Sequence, residues 1–265
     1  MKKLLLMLFI VVGILAGIGF IVSSVDWIKL FKLEKFTQKT EQQLGDLLWE
    51  SYSKGEKESN DPIVLKAVDS LVTSVCMANK IDRKNIKLHI FEKSDVNAFA
   101  FPGGRLAVYT GLIRESKNQN ELIGVVSHEL AHIQLRHVMK KLIKEIGLSV
   151  LISIATGTGD VAVISDIVKT LTSTAFDRSL EKQADIKAID YMVNASIDPL
   201  PLADFMQRLA DEQQMPGSEY LSWMSTHPES AERAAYIREY AGSKVQEKKK
   251  TIADATWVAV KKAVE

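Results

Sequence analysis

The stretch SHELAHIQLRH, residues 127–137, places two histidines four positions apart around a glutamate. Four residues along an α-helix amount to about one turn plus 40°, so His128 and His132 project from one face and their imidazoles can bind one metal ion. Glu129 follows the first histidine and is placed to deprotonate a water molecule at that ion as a general base. Two histidines hold zinc poorly, so the motif predicts a third ligand elsewhere in the chain.

A second stretch, FDRSLEKQAD at 176–185, offers that ligand. Glu181 is the predicted third ligand, and Asp185 lies one helical turn later on the same face. A carboxylate beside a metal site can accept the second N–H of a ligating histidine and fix its tautomer, which is the role we predict for Asp185. The alternatives are an ordinary amphipathic helix that carries two histidines and, for Asp185, a surface salt bridge.

The motifs so far, together with THPESAER at 226–233 and NAFAFPGGRLAVYTGL at 97–112, resemble the successive motifs of a known family. It is the gluzincin zinc metallopeptidase family that holds HtpX, the CAAX prenyl endopeptidases and the envelope proteases BepA and LoiP. The resemblance covers about 86–240 and implies a zincin-like domain with one Zn²⁺. The implied site consists of the zinc ligands His128, His132 and Glu181, the catalytic base Glu129 and the supporting carboxylate Asp185. The chain lacks the several transmembrane helices of the multi-spanning members, so it is more similar to the single-domain envelope proteases.

Two further histidines and one strand in these motifs also have predicted roles. The resemblance implies that His227 lies near the metal, where we predict that it hydrogen-bonds the oxyanion or transiently takes the open zinc position; the alternative is a structural role at a helix start. The strand that contains Asn97, Ala98 and Phe99 is predicted to offer its backbone to an extended substrate, the alternative being a mere core hairpin. His137 is about 140° around the helix from His132 and is predicted to point away as a non-ligand.

Hydrophobic periodicity predicts the elements that position these residues. One long helix is expected from Leu122 to about Ile146, after a capping pair of Asn118 and Glu121. A strand at 85–91 with one buried face leaves His89 toward solvent, and two strands around Pro102-Gly103-Gly104 form a hairpin. Further helices are expected at 63–79, 176–194 and 200–212 and after Pro228. The fold class is therefore α+β, mainly α, with a small β-sheet.

The amino terminus differs in kind, because an uncharged run of 19 residues, 4–22, follows Lys2 and Lys3. Its length predicts a transmembrane anchor, with a cleaved signal peptide as the alternative. The two lysines favour a cytoplasmic amino terminus, which places the rest of the chain across a bacterial inner membrane. The expected organisation is an anchor or signal at 1–26, a helical linker at 27–61, the peptidase domain at 62–242 and a tail at 243–265.

The composition argues against a nucleic-acid partner and a disulfide but does not indicate a substrate. A net charge of +1 gives no reason to expect nucleic acid as a partner, and the single cysteine, Cys76, allows no intramolecular disulfide. The apolar region 147–172 is interpreted as a buried helix and loop, with a membrane-facing hairpin as the alternative. The predicted function is zinc-dependent hydrolysis of unfolded or envelope proteins. The competing interpretation is a membrane-tethered chaperone or assembly factor with suppressed peptidase activity.

Overall fold

A computed structural model of the protein describes residues 37–160, 162–212, 221–228, 230–244 and 249–265, with no side-chain account for 221 and 222. Residues Gln38–Glu265 form a compact unit. The predicted anchor or signal at 1–26 lies outside the described residues. Among the helices that are described, none has the length and apolarity needed to cross a bilayer.

Helices make up most of the described chain and surround a three-stranded sheet. The strands are β1 (Lys87–Phe91), β2 (Ala98–Phe101) and β3 (Arg105–Tyr109). The helices are α1 (Gln38–Ser53), α2 (Pro62–Ala78), α3 (Thr110–Glu115), α4 (Gln119–Gln134), α5 (His137–Ile146), α6 (Leu148–Ala155), α7 (Ala162–Ser173), α8 (Arg178–Asn194), α9 (Leu200–Glu212), α10 (Leu221–Thr226), α11 (Ser230–Gly242) and α12 (Asp254–Ala263).

The sheet has the order β1-β3-β2, so β2 is an edge strand beside the hairpin partner that the sequence predicted. β1 runs parallel to β3, and β2 runs antiparallel to it with Phe99 opposite Ala107. The turn between β2 and β3 contains Gly103 and Gly104, which have φ angles of 75° and 76°. A side chain is strained in this left-handed region, and this explains the glycine pair at the turn.

Both faces of the sheet are covered, whereas the sequence predicted a strand with only one buried face. One face belongs to the main hydrophobic core, whereas the other packs against α1 through Trp49 and Tyr52. Phe91 is therefore 0% exposed although it shares the face of His89. The prediction for His89 was wrong: its ring centroid lies 4.2 Å from that of Trp49, and its Nδ1 lies 2.9 Å from a carboxylate oxygen of Glu58.

The helix caps agree with the sequence signals. Asn118 accepts hydrogen bonds from the amides of Asn120 and Glu121, both at 3.0 Å, and starts α4 where predicted. The Glu121 carboxylate accepts a hydrogen bond from the Lys117 amide rather than from Asn118. α4 then runs through the centre of the domain, packed against α8, α9 and the sheet, and nearly every residue from 119 to 132 is buried.

The predicted single helix from 122 to 146 is two helices. α4 ends at Gln134, Arg136 adopts a left-handed conformation with φ of 55°, and α5 begins at His137. Arg136 is not glycine, so its conformation has a cost that the surrounding structure must offset. Its guanidinium contacts the Glu41 carboxylate through Nε at 3.0 Å and also through Nη2, which ties the break to α1.

The region 147–172, predicted as a buried helix and loop, contains two helices, α6 (Leu148–Ala155) and α7 (Ala162–Ser173). Leu151, Ile154, Ile167 and Leu171 are buried. α6 also leaves Val150 and Ile152 exposed. α1, within the predicted linker, packs on the sheet, and α12, within the predicted tail, packs on α2. The three boundaries between the four predicted segments remain predictions.

Candidate metal centre

Two packed helices bring the sequence-predicted ligands together. α4 carries His128 and His132 one turn apart, and the first turn of α8 carries Glu181. Because α4 and α8 pack along their length, these side chains face one another in the interior, where all three are 2% exposed or less. His227 directly follows α10, and its side chain reaches the same point.

One nitrogen or oxygen atom from each of His128, His132, Glu181 and His227 lies within 4.8 Å of all the others. The Nε2 atoms of His128 and His132 are 2.9 Å apart, and His128 Nε2 is 3.3 Å from His227 Nδ1. Glu181 Oε1 lies 3.3 Å from His132 Nε2 and 3.0 Å from His227 Nδ1. The sequence therefore identified all four members of this buried cluster.

The donor set and its spacing fit a tetrahedral metal ion. Ligand atoms about 2.0–2.1 Å from zinc at tetrahedral angles lie roughly 3.4 Å from one another. Four of the six pairs of donor atoms are 2.9–3.3 Å apart, and all six lie within 4.8 Å. Imidazole nitrogen and carboxylate oxygen are ligands that zinc accepts, and a cluster this well buried excludes competing solvent.

The His128 and Glu181 side of the cluster is supported by charges. His128 Nδ1 lies 2.8 Å from Asp185 Oδ1, the contact predicted for a carboxylate that fixes the tautomer of a ligand. Arg233 donates to both oxygens of Asp185, each at 2.8 Å, and its Nη1 is 2.6 Å from Glu181 Oε2. The Tyr236 hydroxyl also donates to Asp185. Arg233 thus holds two carboxylates of the site in place.

The His132 and His227 side is supported by rings. His227 is stacked between Trp223, at 4.1 Å between centroids, and Phe176, at 5.7 Å. Phe176 also contacts His132 at 4.2 Å, and His137 Nδ1 lies 3.2 Å from His132 Nδ1. His137 is absent from the donor set, as predicted, but the prediction that it points away was wrong. The 140° offset assumed a continuous helix, and the break at Arg136 turns His137 back toward the site.

The charges in this pocket shift the acid groups in opposite directions. Burial first, and then the neighbouring charge of Glu181, raises the pKa of Glu129 well above its usual value. Burial would also raise the pKa of Glu181, but the Arg233 guanidinium together with His227, His128 and His132 outweighs it and holds that pKa well below the ordinary range. Burial lowers the pKa of His132 to about 4 and that of His227 to about 3. At neutral pH the cluster therefore presents His132 and His227 as neutral imidazoles and Glu181 as a carboxylate, the forms that bind a metal.

Glu129 lies beside the donor set without belonging to it. Its Oε1 is 3.4 Å from His227 Nε2 and, within the described residues, has no hydrogen-bond partner. The amide of Ala100 hydrogen-bonds the same carboxylate. A carboxylate with a raised pKa next to a metal site is suited to take a proton near neutral pH.

The predicted substrate strand is next to Glu129 but is covered. The pairing of β2 with β3 turns the amides of Ala98 and Ala100 toward the free edge of the sheet. The Asn97 side chain accepts a hydrogen bond from the Ala98 amide at 2.8 Å, and the Glu129 carboxylate accepts one from the Ala100 amide. Asn97 and Ala98 are fully buried, and the Phe99 ring belongs to the aromatic layer against α1. Binding of a substrate backbone here remains a prediction.

Several supporting residues were missed by sequence reasoning. Arg233 lies within the THPESAER stretch. The available signal was a single basic residue on a different helix from the two carboxylates. Tyr236 lies about one turn after Arg233 on α11, and this spacing was its only sequence signal. Phe176 and Trp223 had no sequence signal, because an aromatic residue at a helix start is more often simple packing.

Comparison with known proteins identifies relatives of this chain. The sequence profile of Peptidase family M48 matches residues 64–241. The metalloprotease LoiP of Escherichia coli is 31% identical over 62% of this chain and 66% of its own length. A putative beta-barrel assembly-enhancing protease of Vibrio cholerae is 27% identical over 74% of this chain and 43% of its own. The mitochondrial metalloendopeptidase OMA1 of Bos taurus is 26% identical over 73% and 41%.

The chain therefore spans between about two fifths and two thirds of the length of these relatives. The matched region contains α4, α8 and α11, which carry or support the metal cluster. This overlap joins the family match to the geometry of the site. The chain belongs to Peptidase family M48.

Proposed function

We propose that this protein is a zinc-dependent endopeptidase that hydrolyses peptide bonds, with Glu129 as the general base. The observation that carries the proposal is the buried convergence of His128, His132, Glu181 and His227 beside a carboxylate oxygen of Glu129 that has no hydrogen-bond partner in the described part of the chain. A zinc ion bound there would polarise a scissile carbonyl and lower the pKa of water.

The protein's own groups perform the proton transfers. Glu129 takes a proton from the water molecule whose oxygen attacks the carbonyl carbon, and it then gives that proton to the amine that leaves when the C–N bond breaks. Its raised pKa makes the carboxylate a stronger base than an exposed glutamate, which favours acceptance of the proton. Asp185 and Arg233 keep His128 and Glu181 oriented through this cycle.

His227 has two proposed roles that the geometry supports. Its Nδ1 lies within the donor set, so it can occupy the fourth ligand position and block substrate. Its Nε2 faces Glu129 at 3.4 Å, so after a ring movement it can instead donate a hydrogen bond to the developing oxyanion. Both roles place His227 on the substrate side of the site.

The proposed substrates are proteins, in unfolded or envelope form. This rests on the named protease activity of the relatives and, for the Vibrio cholerae protein, on beta-barrel assembly in its printed name. The proposed location is a bacterial inner membrane, with the amino-terminal run as an anchor and the peptidase domain on the outer side. Release into the periplasm after signal cleavage is the alternative.

One observation favours a second candidate, a membrane-tethered chaperone or assembly factor with suppressed peptidase activity. A structural zinc site has four protein ligands, whereas a catalytic site keeps one position open, and the donor set here has four members. Cleavage of an unfolded protein and suppression of its aggregation, each measured with and without a chelator, distinguish the two candidates. Chelator-sensitive cleavage supports the enzyme.

Substitution Glu129→Gln tests the enzyme directly. The amide keeps the shape of the side chain but cannot accept the proton, so cleavage of an unfolded protein should fall by about 100- to 10,000-fold. Zinc content per chain, measured by metal analysis, should stay unchanged because Glu129 is outside the donor set.

The matched control is Glu145→Gln, the same chemical change at an exposed position on α5. It should cleave and bind zinc like the unmodified protein. Undiminished cleavage by the Glu129→Gln protein would refute the assignment of the base.

A further inference from the structure

The end of α4 brings a fourth histidine, His137, against the ligand cluster. In a continuous helix His137 would lie about 140° around the axis from His132. The left-handed Arg136 ends α4 and restarts the chain as α5, and as a result the ring centroids of the two histidines are 5.0 Å apart. His137 is 0% exposed, so this contact is buried.

The contact joins one defined atom of each ring, since the two Nδ1 atoms are 3.2 Å apart. On the opposite side of its ring, His132 turns Nε2 to the cluster, 2.9 Å from His128 Nε2 and 3.3 Å from Glu181 Oε1. A neutral imidazole that offers the Nε2 lone pair carries its proton on Nδ1. That buried N–H requires an acceptor, and His137 Nδ1 lies at hydrogen-bond distance.

We propose that His137 is a positioning residue that accepts a hydrogen bond from His132 Nδ1–H and so keeps the Nε2 lone pair of His132 aimed at the metal. His137 itself then carries its proton on Nε2, a buried atom that has no hydrogen-bond partner among the described residues, so its tautomer is set by the contact with His132. The inference rests on the proposed function, because it requires that His132 binds the ion. It gives His132 a neutral acceptor where His128 has the Asp185 carboxylate.

Two variants separate this hydrogen bond from simple packing. His137→Leu fills much of the space but removes the acceptor, whereas His137→Asn places an amide oxygen near the original Nδ1. Zinc affinity is measured on chelator-stripped full-length protein by competition with a chromophoric chelator. The leucine variant should bind zinc about 10- to 100-fold more weakly, the effect typical of a lost partner of a ligand, and the asparagine variant should recover most of that loss.

His89→Leu is the matched control, the same substitution at a histidine outside the site, and its zinc affinity should equal that of the unmodified protein. Equal zinc affinity in the His137→Leu protein would overturn the inference while the proposed function stands. A chain that binds no zinc even before substitution would instead refute the proposed function. If the leucine variant does not fold, the tautomers decide the matter in the unmodified zinc-loaded protein by ¹⁵N-resolved imidazole spectroscopy. A His137 protonated on Nε2 supports the inference, and one protonated on Nδ1 overturns it.

Discussion

The two halves of the metal cluster present the same kinds of atoms but are supported differently. Behind His128 and Glu181 lies an ionic network of Asp185, Arg233 and Tyr236. Behind His132 and His227, rings of His137, Phe176 and Trp223 pack without forming an ion pair with either histidine. The two halves are referred to below as the ionic half and the ring half.

The difference has an energetic consequence. A buried charge that loses its partner costs several kcal/mol, because no solvent replaces the missing group. A lost ring contact costs less, since stacking contributes about 0.5–1.5 kcal/mol beyond the area buried. The ionic half is therefore expected to fix the cluster, whereas the ring half permits one member, His227, to change its position.

The largest effect is expected for Arg233→Met. It strips Asp185 and Glu181 of their common partner inside the domain, so the free energy of unfolding should fall by about 3–5 kcal/mol. Urea unfolding of the chelator-treated protein measures this. Arg238→Met on the same helix removes an exposed pair with Asp204 and should cost less than about 1 kcal/mol. Equal losses for the two variants would contradict the distinction between the halves.

Asp185→Asn should have the next largest effect, on zinc binding. The amide oxygen can still accept from His128, but the negative charge that raises the basicity of the imidazole is lost, so zinc affinity should fall by about 10- to 100-fold. Chelator competition measures it. Asp190→Asn is the control, because Asp190 lies on the same helix and also accepts from a tyrosine and a lysine, Tyr240 and Lys244. Unchanged affinity in the Asp185 variant would show that His128 needs no charged support.

The smallest effect on zinc retention is expected for His227→Ala, in the ring half. The other three donors remain, so the affinity should fall less than in Asp185→Asn. The rate of cleavage decides the role of His227, rising if the imidazole blocks the fourth position and falling by about 100- to 1,000-fold if it stabilises the oxyanion. His89→Ala is the control for the loss of an imidazole. Unchanged cleavage and unchanged zinc content would remove His227 from the site.

Distance along the chain, rather than the division into halves, explains which residues could be predicted. His128 and His132 share one helix and Glu181 and Asp185 share another, so helical spacing was enough to group each pair. His137 was misplaced because its position depends on the backbone of one residue, Arg136, whose left-handed conformation has no glycine to signal it. Arg233 was overlooked because its partners on α8, Asp185 and Glu181, lie 48 and 52 positions away in the chain.

By itself the sequence determined the local groupings: helical periodicity placed His128 with His132 and Glu181 with Asp185, and the turn residues at 102–104 predicted the hairpin. Only the tertiary structure decided the surroundings of these groups, namely the arginine shared by two carboxylates, the stacked His227 and the histidine behind His132. The physical reason is the distance along the chain over which each property is set. Helical spacing is a local property of the backbone, whereas burial, charge pairing and the end of a helix depend on which distant elements pack together.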